Sequence, residues 1–494
     1  MLASGGEPLQ LTNDDGEKLV SNFSADGTEI YYVRIFGRDE CWAVPTLGGT
    51  PHRLVAGRIP TPSPDREYIY FTKQGTRAIF RANRTGMNEE QVFALGPNTL
   101  PLRRILPFPD GKHLLLITGD IVSSLEAFHA YDVDLPNQKA DDLGDVPGNP
   151  FDVVWAEGGK SVLFGRTIKG LTNIWKFGLQ DKSMSQVTFG TGPDTSPMPD
   201  PSGKGMYMVN GKSSGFLTAY NTRTKQSTDI ASENATQPAV SPDGKKVMYI
   251  TIPARDRNEL WVADIDGNNK VRLAPSGSLA TSSWAADNFH LAFTSEENGK
   301  PIQIHLAGVD GSGQQTLNWK DGSVQNVLWS ADREFLYINT FDINLRRGVI
   351  WKESAHGSPP EKLTDGCGLA FGMAPGGQFL ISLIAGGDKV GIYEYSLADH
   401  TCTMLVPEVI TFGLVFDRDG KSFLYAVPSR QDVTIYRQSW QAGKAIGAPK
   451  VALKLPFAFP LLSGGNAYDF SSDLSTVVYA RPGGHADLYL LSQK

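Results

Sequence analysis

At 494 residues the chain is too long for one compact core of ordinary size, which leaves several domains or a repeat architecture. Hydrophobic residues at 40% and charged residues at 20% exclude a disordered or fibrous chain, while 52 Gly and 31 Pro fit many short strands joined by tight turns. A formal net charge of -7, with Lys and Arg scattered singly, excludes a basic nucleic-acid-binding face.

From the N-terminus, Met1 to Gly6 has neither the charged nor the apolar region of a signal peptide, and Gly5 to Thr12 reads as a short strand like Gly48 to Leu54. A turn then recurs eleven times along the chain. Its copies are Ser24-Ala25-Asp26-Gly27, Ser63-Pro64-Asp65-Arg66, Phe108-Pro109-Asp110-Gly111, Ala156-Glu157-Gly158-Gly159, Asp200-Pro201-Ser202-Gly203, Ser241-Pro242-Asp243-Gly244, Ala285-Ala286-Asp287-Asn288, Ser330-Ala331-Asp332-Arg333, Ala374-Pro375-Gly376-Gly377, Asp417-Arg418-Asp419-Gly420 and Ser471-Ser472-Asp473-Leu474. Successive copies lie 39 to 54 residues apart and about 45 on average, the length of a four-stranded propeller blade and of a WD-type repeat.

Each copy has the same grammar. A short apolar strand such as Val327 to Trp329 precedes the turn, and a second such as Lys246 to Thr251 follows it. A third, Glu259 to Ala263, and a fourth, Lys270 to Leu273, close the unit on either side of Asp266-Gly267. Pro presets φ for the turn, Asp caps it through nearby backbone, and Gly takes positive φ. No stretch of ten or more residues shows helical periodicity. The predicted fold is therefore all-β, a propeller of about eleven blade repeats spanning 1–494. One ring holds roughly four to eight blades, so two rings are expected in preference to one large ring. The longest spacings put candidate crossings near 131–150 and 440–466. The last copy offers strands at 468–470, 476–480 and 487–491, and Gly5 to Thr12 is expected to supply the fourth, tying first and last blades together. A chain cut in mid-blade from a longer protein is the alternative.

With these turns and the segment Leu260-Trp261-Val262-Ala263-Asp264-Ile265-Asp266-Gly267-Asn268-Asn269, the chain resembles the TolB-like propeller family, over nearly its whole length and best at Ser241 to Leu273. The copies at Gly158, Ser202 and Gly376 lose the Asp, so their turns must be held differently. The ending Ala480 to Leu491 resembles C-terminal propellers of bacterial serine/threonine kinases, where the propeller is regarded as a sensor that follows a kinase domain and a membrane helix. That resemblance implies an extracytoplasmic location for a chain attached to such a kinase.

Motifs for chemistry fail on context. Gly211-Lys212-Ser213-Ser214-Gly215 matches a nucleophile elbow, but a strand and not a helix follows it. Gly159-Lys160-Ser161 and Gly420-Lys421-Ser422 end like phosphate loops, but Val154 and Val415 stand where the first glycine belongs. Asp264 to Asn268 and Asp417 to Gly420 look like calcium loops, but Leu273 and Tyr425 replace the closing Glu; Asn13-Asp14-Asp15-Gly16-Glu17 reads as a solvated loop. His52, His113, His129, His290, His305, His356, His400 and His485 form no metal-ligand spacing, and Asp469-Phe470 belongs to the last blade and not to a kinase motif. No catalytic residue, metal or cofactor is assigned.

Cys41, Cys367 and Cys402 exclude a disulfide scaffold; unpaired buried thiols are the favoured reading and a Cys367–Cys402 bridge the alternative. The longest apolar run, Phe379 to Ala385 broken by Ser382, falls far short of the roughly 20 residues that span a bilayer, so no membrane insertion is expected. Two irregular stretches, Leu455 to Leu462 and Asp120 to Tyr131 with Phe128 and His129, are candidate contact loops, with packing between rings as the alternative. The expected function is a non-catalytic module that binds a protein, peptide or glycan, as a kinase sensor or a free-standing relative. A hydrolase or lyase with a funnel site and a TolB-like periplasmic assembly scaffold are the rivals. Clustered carboxylates or histidines in the funnel would favour the enzyme, and an uncharged or aromatic lining would favour binding.

Overall fold

The computed structural model describes residues 9–13, 18–34, 39–73, 75–119, 127–200, 205–232, 234–254, 257–274, 278–296, 302–342, 347–384, 389–409, 411, 413–417, 420–429, 432–441, 443–456 and 467–492. Among them every regular element except a short 3-10 turn at Glu157–Gly159 is a β-strand; consecutive strands pair antiparallel into nine four-stranded sheets, and Asp194–Pro199, Gly205–Asn221, Gln226–Ala231, Tyr468–Phe470 and Thr476–Ser492 make one five-stranded sheet. Residues lie in two units, Met1–Lys212 with Ala486–Lys494, and Ser213–His485.

The first unit has blades at 18–56, 58–94, 102–147 and 154–186, followed by Asp194–Pro199, the start of Gly205–Asn221 and the end of Thr476–Ser492. Four apolar cores join successive blades, through Val33 and Phe71, Ile79 and Leu116, Phe128 and Phe164, and Ile174 and Met208. Facing sheets can only exclude water from these side chains by packing on one another, so each blade is held by its neighbours.

The second unit has five blades at 235–274, 278–319, 324–364, 369–407 and 414–455. A sixth is composite: Tyr468–Phe470 and the start of Thr476–Ser492 give the inner strands, and the end of Gly205–Asn221 with Gln226–Ala231 gives the outer ones. Six interblade cores form an unbroken cycle. Val478 of the composite blade packs with Val247, Met248 with Phe293, Leu306 with Ile338, Tyr337 with Tyr395, Ile381 with Tyr425, and Ile435 with Phe470 back to the composite blade. This is a closed six-bladed ring, in which strands from the two ends of the unit share one sheet.

The segments expected as separate strands at 476–480 and 487–491 are one continuous strand, Thr476–Ser492. The expected pairing of Gly5 to Thr12 with 487–491 falls partly outside the described residues, and 9–12 lie in no strand. Within the two long spacings, 131–150 and 440–466, Lys139–Pro147 and Lys444–Leu455 are long strands of their own blades, and 457–466 lie outside the described residues.

The repeated turns have the bonding their residues dictate. At Ser241 the hydroxyl donates to Asp243 Oδ1 at 2.7 Å and accepts the Lys246 N–H at 2.9 Å, while Asp243 Oδ1 takes the Lys245 N–H at 3.1 Å. Gly244 closes the turn at φ +76. Where Gly is missing the same conformation is forced on Arg66, Asn288, Arg333 and Leu474 (φ 69, 61, 66 and 56). At Gly158, where Asp is lost, Glu157 replaces it by accepting from Ser161 Oγ at 2.8 Å. At Gly376 two glycines in a row at positive φ, Gly376 and Gly377, carry the turn.

Cys367 and Cys402 are joined in a disulfide, which corrects the favoured reading of unpaired thiols. The two are 35 residues apart, and only the blade geometry, which brings their Cα atoms to 5.8 Å, pairs them. Cys41 is a free thiol with no exposed surface, and burial pushes its ionisation well above the usual range.

Candidate functional site

The six blades of the second unit leave a cavity of about 620 Å3 at the end of the ring where the repeated turns lie. This is the size of a pocket for a small ligand or a few peptide residues. The residue immediately before each turn lines it: Val240, Trp284, Trp329, Met373, Phe416 and Phe470, one from every blade. Repetition dictates this, because a fixed position in the innermost strand of each blade takes the same place around the ring. The next position back contributes Ala239, Ser283, Leu328, Gly372, Val415 and Asp469. The lining is therefore a belt of large apolar and aromatic side chains with a few polar groups.

Those polar groups differ in their engagement. Trp284 Nε1 donates to the Ala239 carbonyl at 2.8 Å and so bridges two blades. Trp155 in the first unit does the same to Pro107 at 2.9 Å. Trp329, at the equivalent place, leaves its Nε1 buried and without a partner among the described residues, as does Ser283 Oγ. Asn326 donates to Ala370 at 3.0 Å and accepts from the Val327 N–H at 2.9 Å. Asp417 is ion-paired with Arg437. Asp469 accepts two backbone N–H groups, from Val240 at 2.7 Å and Phe470 at 2.8 Å. Burial pushes its carboxyl up to about 7, against the lowering effect of those two bonds. The rim is tied between blades, with Asp243 N–H donating to Asn288 at 2.8 Å and Arg333 held to Asp287 at 2.8 Å.

The residues singled out in the sequence lie elsewhere. Gly211 to Gly215 is the middle of the strand Gly205–Asn221, with no elbow. Lys160-Ser161 and Lys421-Ser422 belong to blade turns and strands. Asp264 holds Lys246 at 2.6 Å and Asn269 at 2.6 Å as a hairpin turn. Phe128 is core, edge-on to Phe164 at 5.2 Å, and His129 is clasped by Asp142 at 2.8 Å and Asp145 at 2.7 Å within its own blade. Residues 14–17, 120–126 and 457–462 lie outside the described ones. Among the other histidines, His305 bonds Ser295 at 2.7 Å and His400 bonds Tyr395 at 2.8 Å; His290 pairs with Asp287 at 2.6 Å, and none of these lines the cavity. Reading one column of the repeat would have found the lining. The residue before the turn is Phe, Pro, Pro, Trp and Pro in the first five copies (Phe23, Pro62, Pro107, Trp155, Pro199) and large and apolar in all of the last six.

The fold and this lining define a β-propeller with a central apolar cavity. Residues 107–286 match the TolB beta propeller domain, so that part of the chain is a TolB-like propeller. Among solved structures it is similar to a protein from Agrobacterium tumefaciens assigned as TolB, at 15% identity over 55% of this chain and 99% of that one with a TM-score of 0.41. It is also similar to TolB from Acinetobacter baumannii (15% identity, 70% and 76% of the two chains, TM-score 0.21). An oligogalacturonate lyase from Vibrio parahaemolyticus is a third (8% identity, 65% and 85%, TM-score 0.28). All three are distant, and the fold rests on the family match and on the blades themselves. No helix among the described residues is long and apolar enough to cross a membrane.

Proposed function

We infer that the chain is a non-catalytic binding module and that the cavity of the second unit takes its ligand. The observation that carries this reading is the belt formed by Val240, Trp284, Trp329, Met373, Phe416 and Phe470, an aromatic and aliphatic surface whose rim is tied across three of the six blades. Such a lining offers apolar contact area at small conformational cost, which suits a polypeptide segment entering the end of a ring. The resemblance of Ala480 to Leu491 to kinase-linked propellers supports a sensor setting, and the Cys367–Cys402 bond supports an oxidising, extracytoplasmic compartment. An assembly scaffold of TolB type would use the same cavity.

Panning a displayed peptide library on the purified chain tests the reading. Enriched peptides bind the native protein and lose at least about ten-fold in affinity, roughly 1.4 kcal/mol, on the folded Trp284→Ala/Trp329→Ala variant. Enriched peptides that bind both proteins equally place the ligand elsewhere and contradict it.

A further inference from the structure

The polar groups of the cavity call for a ligand of particular chemistry. Asp469 is the single charged residue in the column two places before the turn, where the other blades carry Ala239, Ser283, Leu328, Gly372 and Val415. Its two recorded partners, the N–H groups of Val240 and Phe470, are neutral donors, and no ion pair forms at Asp469 among the described residues, whereas the neighbouring wall carboxylate of Asp417 is held by Arg437. A carboxylate in a confined, largely apolar site is costly until a positive charge compensates it. Burial raises the ionisation of Asp469, and no cation among the described residues offsets it.

The rest of the wall completes the specification. Trp284, Trp329, Phe416 and Phe470 are among the residues that line the same cavity, and aromatic faces attract cations. Trp329 Nε1 and Ser283 Oγ are buried donors without partners, although the matching indole of Trp284 is committed to Ala239. These donors ask for acceptors. Asp469, Ser283 and Trp329 fall on blades that follow one another round the ring, with 235–274 between the first two. A ligand that satisfies them brings a cation, carbonyl oxygens and apolar matter together, and an extended peptide with a lysine between apolar residues does so.

We propose that the cavity of the second unit captures a lysine-bearing, otherwise apolar peptide segment, with the ammonium paired to Asp469 and peptide carbonyls accepting from Trp329 Nε1 and Ser283 Oγ. The proposal rests on the cavity being the binding site, and it adds the chemistry of the partner.

Two probes separate the two claims: acetyl-Phe-Lys-Leu-amide and the same peptide with norleucine in place of lysine, which keeps the alkyl stem and removes the charge. Each is titrated calorimetrically into the whole chain at pH 8, where Asp469 is ionised. The lysine peptide binds the native protein about ten-fold tighter or more. Asp469→Asn, checked for folding by its melting curve, brings the two affinities together, and Trp329→Phe weakens both peptides several-fold. Equal affinities in the native protein, with binding lost in Trp284→Ala, overturn the lysine capture and leave the cavity as a binding site. A lysine preference that survives in Asp469→Asn overturns it too. No binding of either peptide overturns this proposal, and the panning experiment then judges the cavity by itself. The comparison of the two peptides on the native protein needs no variant.

Discussion

Asp469 Oδ2 accepts the N–H of Val240 at 2.7 Å, across 229 residues of sequence. One strand of the composite blade is thereby fastened to the inner strand of the blade beside it, at the point where the six-bladed ring of the second unit closes. The same residue lines the cavity, so the side chain that closes the ring is also the one proposed to meet the ligand.

That sharing gives a pH dependence of stability. Burial raises the Asp469 carboxyl from 3.8 to about 7 in the folded chain. Between those values the folded state holds a proton that the unfolded state has released, so this group's contribution to stability is complete below pH 3.8 and declines as pH rises to about 7, after which it is flat. Denaturant titrations of native protein and Asp469→Asn across pH 4 to 8 should show a difference that changes over this window. A constant difference would show that Asp469 titrates normally.

Reduction should weaken the second unit. The disulfide closes a 35-residue separation, and the chain-entropy estimate for a loop of that size is roughly 3–4 kcal/mol. Dithiothreitol is expected to lower the melting temperature of the native protein towards that of Cys402→Ser and to leave the variant unchanged. Thiol labelling should find no reactive cysteine in the folded chain and one, Cys41, after denaturation without reductant. Two or three labelled thiols would contradict the pairing.

The turns make a prediction of opposite signs. Arg66 is exposed and sits at φ 69, where a Cβ is costly, so Arg66→Gly should stabilise the chain by about 0.5 kcal/mol once the added freedom of the unfolded Gly is discounted. Gly244 takes φ +76, and a Cβ there would stand 3.2 Å from that of Ser471; Gly244→Ala should cost about 1–2 kcal/mol. Urea midpoints of the two variants check both signs.

The two cavity tryptophans should separate in a conservative exchange. Trp284→Phe loses the bond to Ala239 and should cost about 1 kcal/mol beyond the change in packing. Trp329→Phe removes an indole N–H that has no partner and should cost less than that or even stabilise the chain. Equal losses would show that Trp329 Nε1 is satisfied in the free protein.

The blades were legible because each is a local object. Ser241, Asp243 and Gly244 specify a turn within four residues, and the strands around them alternate within ten, so repetition made the pattern unmistakable. The cavity was less so, because Val240 and Phe470 lie far apart in sequence and meet only through the ring. The same limit applies to Cys367 and Cys402, and to the composite blade, whose strands come from 213–231 and 468–485. Gly211 to Gly215 and the calcium-like loops are patterns of neighbours in sequence, while the cavity is built from a few residues that recur about every 45.

Hydrogen–deuterium exchange of the chain with and without a peptide enriched by panning decides whether the cavity of the second unit holds the ligand. Slower exchange on binding is expected at 238–242, 282–286, 326–331 and 371–376, which line the second unit's cavity. Protection confined to the first unit, or to the outer strands of the blades, would contradict it.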